Sequence, residues 1–259
     1  MKTYFGRNIF LFLCYLMALS VFGCSGTVEI KTDSETGLFN EAVRYYEDKD
    51  YRMAKAAFQK LKDNYPLSKY SITAELRIAD CDYHQKDYQE AIFQYEEFKK
   101  LHPTNKAIPY VMYQVGMSHF NQILSIDRDQ TSTKNAAKQF EYLISRYPSD
   151  PYAISAQEKL RVCKENLAQH EYYVGYFYLK KKKFEAALFR FNGIISNFPE
   201  SDLLDTVYFH IGKSYLSLEE KEKAKNILLH LLKNYPNSEY YGEAFDLLKE
   251  LNENASIQE

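Results

Sequence analysis

Residues 212–236 read GKSYLSLEEKEKAKNILLHLLKNYP, and five of their positions recur along the chain. Counting back from Pro236, Gly212 lies at −24, Tyr215 at −21, Ala224 at −12, Leu228 at −8 and Leu231 at −5. The same offsets from Pro66 meet Ala42, Tyr45, Ala54, Phe58 and Leu61; from Pro199 they meet Gly175, Tyr178, Ala187, Phe191 and Ile194. From Pro103 they meet Ala79, Ala91, Tyr95 and Phe98, with Tyr83 one place late. Small residues at the first and third places let two helices approach, and bulky residues fill the space beside them. Proline ends the second helix, because it lacks an N–H and biases its predecessor away from the helical region.

This is the helix–turn–helix grammar of a tetratricopeptide repeat. It predicts an all-α solenoid of five helix pairs, each with a first helix A and a second helix B. A long connecting helix splits the pairs three plus two, and Ser238 opens a C-terminal capping helix. The anchors Tyr45, Tyr178 and Tyr215 are expected in the core. The template fails informatively twice. Gly116, Ala136, Phe140 and Leu143 are correctly ordered before Pro148, but Gly116 to Pro148 is 32 residues where the others take 24. Eight extra residues therefore fall in the connection around Leu124 to Thr133, and long loops on a rigid scaffold are disproportionately functional. Between Pro148 and Gly175 there are 27 residues instead of 13, and the extra 14 are helical in pattern. They add about 21 Å of helix, so Pro151 to about Lys180 reads as one helix or two nearly continuous ones.

The first residues are not part of this pattern. Lys2 and Arg7 precede an apolar run from Ile9 to Phe22, too short for the about 20 residues of a membrane span and typical of an export signal. Val21-Phe22-Gly23-Cys24 resembles a bacterial lipobox, with Cys24 as the lipidated first residue of the mature chain; the alternative is a plain secretory signal with an incidental Cys24. Acyl chains on Cys24 would hold the protein to a bilayer at about 0.8 kcal/mol per buried methylene. The expected organisation is a signal at 1–23, a lipidated tether at 24–36, repeats 1–3 at 37–150, a connecting helix at 151–180 leading into repeat 4, and repeats 4–5 with the cap at 168–259. Removing 1–23 leaves 31 basic and 35 acidic residues, a balance with no general pull toward nucleic acid. Cys81 and Cys163 either pair in an oxidising compartment or, as their helical positions favour, remain buried thiols.

Catalytic patterns are lacking. His170-Glu171 begins like a zinc-protease motif, but Val174 stands where the second histidine belongs. Asp127-Arg128-Asp129 begins like a calcium loop, yet Ser132 replaces its glycine and Lys138 its bidentate glutamate. The histidines are scattered and the glycines form no phosphate-cradling run. Neither an enzyme, a metal site nor a cofactor is expected.

The lipobox, the three-plus-two repeats, Asp127-Arg128-Asp129-Gln130 in the long loop and Leu167-Ala168-Gln169-His170-Glu171 ahead of repeat 4 together resemble the BamD family (also called ComL or YfiO). The resemblance runs from about Leu38 to Pro236; Gly175, Phe22 and the short C-terminus depart from the family pattern. It implies a lipid-anchored, non-catalytic factor of the β-barrel assembly machinery on the periplasmic face of the outer membrane. It further implies that C-terminal repeats bind periplasmic domains of the central barrel protein, that other assembly lipoproteins attend, and that N-terminal repeats receive unfolded outer membrane proteins. The alternative is a periplasmic repeat lipoprotein that scaffolds cell-wall enzymes or pilus assembly.

Each candidate residue carries a structural alternative. Asp127, Arg128, Asp129 and Gln130 either contact a partner or staple their own loop. His170 and Glu171 either contact a partner or hydrogen-bond at the junction. Arg190 interrupts the apolar run Ala186 to Phe191 and matches a family arginine associated with docking; the alternatives are a solvated or internally paired guanidinium. Tyr83 and Tyr113 are candidates for a peptide groove, where their rings suit the aromatic end of an extended strand.

Overall fold

The computed structural model describes residues 32–256, with side chains to 253. Cys24, the export signal and most of the tether lie outside the described residues. Among the described residues eleven helices follow one another: α1 (Glu35–Glu47), α2 (Tyr51–Asn64), α3 (Ser71–His84), α4 (Tyr88–Leu101), α5 (Ile108–Phe120), α6 (Thr131–Arg146), α7 (Pro151–Lys180), α8 (Phe184–Asn197), α9 (Leu204–Ser217), α10 (Lys221–Asn234) and α11 (Tyr241–Ser256). They form a tetratricopeptide-repeat solenoid. The described residues divide into two compact units, up to Ala74 and from Glu75 onward, with the boundary inside α3.

The repeat stop is the same object five times. Tyr65, His102, Tyr147, Phe198 and Tyr235 each precede a proline and each leave the helical region at φ between −135° and −127° with ψ between 55° and 63°. Their N–H groups still donate to the carbonyls of Leu61, Phe98, Leu143, Ile194 and Leu231. Proline disfavours α geometry at the preceding residue, so every helix B ends with one satisfied amide and a sharp exit. Helix starts are capped where the sequence supplies an oxygen: Ser34 Oγ accepts from Gly37 N at 3.1 Å and Asp50 Oδ1 from Met53 N at 3.1 Å. Asp150 Oδ1 accepts from Tyr152 N at 2.8 Å, with Pro151 at the first helical position, where its missing N–H costs nothing. Ser238 is a correction. Its hydroxyl accepts from Tyr240 N within a turn, and the last helix begins at Tyr241. That helix then continues to Ser256.

The tight A–B turns of repeats 1, 2, 4 and 5 place Lys49, Lys86, Lys182 and Glu219 in the left-handed region, with φ of 61°, 67°, 57° and 60°. Repeat 3 has no such residue, because its connection is the long loop of residues 121–130, and Thr131 to Thr133 already belong to α6.

In the first unit, α1 and α2 pack around Leu38, Ala42, Ala54, Phe58 and Leu61, all fully buried. In the second unit one core gathers Ala79, Ala91, Tyr95, Phe98, Ala136, Phe140 and Leu143 with Ala153, Ala156 and Cys163 of α7. A second core begins five residues further along α7 at Ala168 and adds Ala187, Phe191, Ile194, Val207 and Ile211. The predicted connecting helix is thus one continuous 30-residue element shared by two cores. Close approach explains the small anchors: a Cβ on Gly116 would lie 2.4 Å from the Phe140 ring, and one on Gly175 2.6 Å from Phe191. Tyr45, Tyr178 and Tyr215 are half-buried rather than enclosed. Cys81 and Cys163 are both buried as thiols.

His210 on α9 is enclosed by aromatic rings, with centroids of Phe209, Tyr176, Tyr172 and Tyr240 at 5.4, 5.5, 5.7 and 5.8 Å. Its Nδ1–H donates to the Thr206 carbonyl at 2.8 Å. Burial lowers its pKa below the ordinary 6.5, and burial does the same for His119 and His84. A lowered folded pKa means that the unfolded chain binds more protons, so stability is complete above about pH 6.5 and is lost as pH falls from there toward the folded value. We expect urea midpoints to decline between pH 7 and pH 5, and the His210→Phe chain to show a shallower decline. A slope unchanged by that substitution would contradict this assignment.

Candidate functional site

The long loop folds back on itself through one side chain. Gln130 is buried; its Nε2 donates to the carbonyls of Ser125 at 3.0 Å and Arg128 at 3.1 Å, while its Oε1 accepts from Thr133 Oγ1 at 2.8 Å. The Arg128 N–H closes a turn onto the Ser125 carbonyl at 3.0 Å. Asp129 Oδ1 accepts from the Thr131 N–H at 2.9 Å, close to the start of α6. Asp127, Arg128 and Asp129 point outward and are exposed. A hydrogen bond from the Ser125 side chain holds the Asp127 carboxyl below its ordinary range, and the Thr131 backbone N–H does so for Asp129. Of the four loop candidates, Gln130 is a staple and the other three are presented to solvent. Replacing Gln130 by Ala strands two carbonyls and a hydroxyl, at a local cost of about 1–2 kcal/mol. Amide exchange across residues 123–134 should accelerate about tenfold; protection equal to the parent chain would remove the staple role.

Two neighbours on α7 tie this loop to the next repeat. His170 Nδ1 lies 2.6 Å from the Ile126 carbonyl, and because a carbonyl only accepts, the proton sits on Nδ1. Glu171, the next residue, accepts from Arg190 NH1 at 2.9 Å. Gly175 lets α8 lie against α7 here: a Cβ on it would meet Arg190 Cβ at 3.2 Å. The loop, His170, Glu171 and Arg190 therefore converge on one stretch of α7, although they come from three separate segments. Arg190 is internally paired but only partly covered, with 36% of its side chain exposed. Beside it a groove is lined by Phe189, Asn192, Gly193 and Ser196.

Phe189 is the residue that the sequence reading passed over. It is 76% exposed. The signal was available, since Ala187, Phe191 and Ile194 fix the buried face of α8 and Phe189, two residues before an anchor, falls about 200° away from it. A large apolar side chain at that angle is unexplained by packing within the repeat.

Tyr83 and Tyr113 do not sit with this cluster. Tyr83, half-buried, accepts from Asn121 Nδ2 at 3.0 Å and meets the Tyr88 ring at 5.7 Å. Tyr113 packs on Phe140 at 6.0 Å and on Tyr152 at 5.6 Å. Burial raises the pKa of both phenols. Both flank the first core, with part of each ring open. Among the described residues, no three His, Cys, Asp or Glu side chains converge on a point that would hold a metal ion, and no helix is long and apolar enough to cross a membrane.

Comparison with known proteins decides the family. The family model YfiO, described as outer membrane lipoprotein, matches residues 31–228. The chain belongs to this family. Among curated relatives, the outer membrane protein assembly factor BamD of Rickettsia prowazekii is 32% identical over 212 residues, covering 82% of this chain and 84% of that protein. The BamD of Caulobacter vibrioides is 27% identical over 267 residues, covering 96% and 84%. These relatives of the family member are named as assembly factors and not as enzymes. Among solved structures, the TPR2AB domain of yeast Sti1 in its pHSP90 complex is similar over 85% of this chain and 84% of that one, at 14% identity and a TM-score of 0.43. The YfiO match ends within α10, so it spans the long loop, His170, Glu171 and Arg190.

Proposed function

We propose that this chain is a non-catalytic outer membrane protein assembly factor, anchored by lipid on Cys24 at the periplasmic face of the outer membrane. In this reading repeats 4 and 5, residues 168–259, dock on the periplasmic domains of the central β-barrel assembly protein. Repeats 1–3, residues 37–150, receive unfolded barrel proteins and present Tyr83 and Tyr113 to them. Other assembly lipoproteins join the same complex, and no cofactor takes part.

One observation carries the docking half. Four features of no use to the repeat template converge on one stretch of α7: the long loop, the His170 clamp, the Glu171–Arg190 pair and exposed Phe189. An arginine beside an exposed aromatic ring has the composition of an interface hot spot. Asp127, Arg128 and Asp129, on a loop held from below by Gln130, supply a polar rim at modest ordering cost. The membership in a family of outer membrane lipoproteins supports the location.

The test is co-purification from detergent-solubilised envelope. The central barrel protein should be recovered with the chain, and depletion of the chain should lower the level of outer membrane barrels. Absence of the barrel protein together with normal barrel levels would overturn the reading. The anchor has a separate test in mass spectrometry of the mature N-terminus, where an unmodified end beyond Cys24 would remove it.

A further inference from the structure

The turn between α7 and α8 is made of lysine. Lys180, Lys181, Lys182 and Lys183 are consecutive and all exposed. Lys182 takes the left-handed conformation at φ 57°, and the Lys183 N–H closes the turn onto the Tyr178 carbonyl at 2.9 Å. All four side chains are consequently open to solvent at a tight turn. Among the described residues none of the four is in an ion pair, whereas Lys99, Lys100, Lys164, Lys213 and Lys223 each reach a carboxylate. Two of the four rest on rings instead: Lys180 Nζ is 5.0 Å from the Tyr176 centroid and Lys181 Nζ is 5.8 Å from that of Phe177. Phe177 is 52% exposed, and Tyr173, one turn earlier on the same stripe, is 47% exposed.

The excess of positive charge is confined to the first of two tight turns in this part of the fold: residues 180–185 carry four lysines and one glutamate, residues 218–225 three of each, in a chain whose net charge is −2. Four adjacent ammoniums repel one another, and among the described residues no carboxylate is ion-paired with them. Packing gives no reason for them either, since a single left-handed residue suffices at the matching turns with Lys49 and Lys86.

We infer that the Lys180–Lys183 tip, with Phe177 and Tyr173 behind it, is a contact surface for a bilayer rich in anionic phospholipid headgroups. Clustered lysines attract such a surface through its negative potential. Exposed Phe and Tyr beside lysine have the composition of side chains that settle at the headgroup boundary. Shape favours a bilayer over an acidic peptide. Lysines 180–183 are all exposed and line none of the grooves described, so the turn offers no walls to an extended chain, whereas a flat charged surface needs none. The outer membrane setting of the family puts such a surface within reach.

The test uses residues 24–259 with Cys24→Ser, which keeps every described residue and removes any acyl anchor. Co-flotation is measured with vesicles of phosphatidylcholine alone and with 30% phosphatidylglycerol. At low salt we expect about tenfold more chain on the anionic vesicles, and loss of that excess at 0.5 M NaCl, where the screening length falls to a few ångströms. The quadruple variant K180Q/K181Q/K182Q/K183Q should lose the excess. A control quadruple variant, K49Q/K86Q/K138Q/K159Q, should keep it. Equal flotation on both vesicle types overturns the inference, as does an excess that survives in the tip variant. Indifference to both vesicles, with the tip lysines shielded from an amine reagent only when the envelope proteins are added, would assign the tip to an acidic protein surface and also overturn it.

Discussion

An Arg190→Glu chain is expected to recover the central barrel protein about 100-fold less efficiently than the parent, and an Arg190→Ala chain about tenfold less. The asymmetry has a geometric cause. Arg190 stands 2.9 Å from Glu171 with 36% of its side chain exposed, so it offers donors to a partner while one carboxylate holds its direction. Alanine removes those donors. Glutamate also sets two carboxylates side by side and presents a partner with the reversed sign. The pair itself is too exposed to matter much for folding, at about 0–1 kcal/mol, so thermal melts of both variants should stay close to the parent. That separates docking from stability in one experiment. Full capture by Arg190→Glu would sink the docking face; loss of capture with a collapsed melt would move Arg190 from interface to fold.

The second large effect lies in the fold, at Asp80. This carboxylate is fully buried on α3 and takes three donors: Tyr95 OH at 2.7 Å, Tyr110 OH at 2.7 Å and Arg77 NH1 at 2.8 Å. It joins α3, α4 and α5 through polar bonds inside an apolar core. Tyr110 OH in turn accepts from Gln114 Nε2 at 2.9 Å. Burial first, and then the charge of Asp80, hold the Tyr95 phenol in its protonated form. In Asp80→Ala the enclosed Tyr95 hydroxyl loses its acceptor and a void opens beside it, at a cost of about 3–5 kcal/mol. Asp80→Asn keeps one acceptor and should cost about half as much. Tyr95→Phe should cost about 1–2 kcal/mol, and the double variant should cost less than the sum, because both remove the same bond. Urea unfolding followed by circular dichroism reads all four, and an Asp80→Ala midpoint equal to the parent would refute the network.

These two sites differ in how far the sequence foretold them. The repeat anchors were legible because they depend on local rules: proline geometry acts on the residue beside it, and a small residue permits an approach whatever the partner. Counting along that frame is enough to locate the long loop and α7. Pairings were not legible. His170 meets the carbonyl of Ile126 across 44 residues, and Glu171 meets Arg190 across 19. The template contains neither pairing, since it records which residues pack between helices and not which polar side chains meet. Asp80 escaped for another reason, as a charged residue beside the small anchor Ala79 reads as solvent-facing until three donors are seen around it. Tyr45, Tyr178 and Tyr215 differ in the opposite direction: the template places an aromatic anchor in the core, and all three are only half-buried, with Tyr45 OH donating to Glu41 Oε1 at 3.2 Å.

Repeat proteins commonly open at a seam between neighbouring repeats, where only side chains hold one pair of helices to the next. The second unit lacks that seam between its third and fourth repeats. Between Cys163 of one core and Ala168 of the other runs unbroken helix, so the two cores meet through backbone hydrogen bonds rather than a contact surface. Opening either side by itself must either break helix at that point or leave a stiff rod projecting into water. Cooperative unfolding should thus extend across this junction, and strain applied at the loop of residues 121–130 reaches Arg190 through a rod instead of dissipating at a joint.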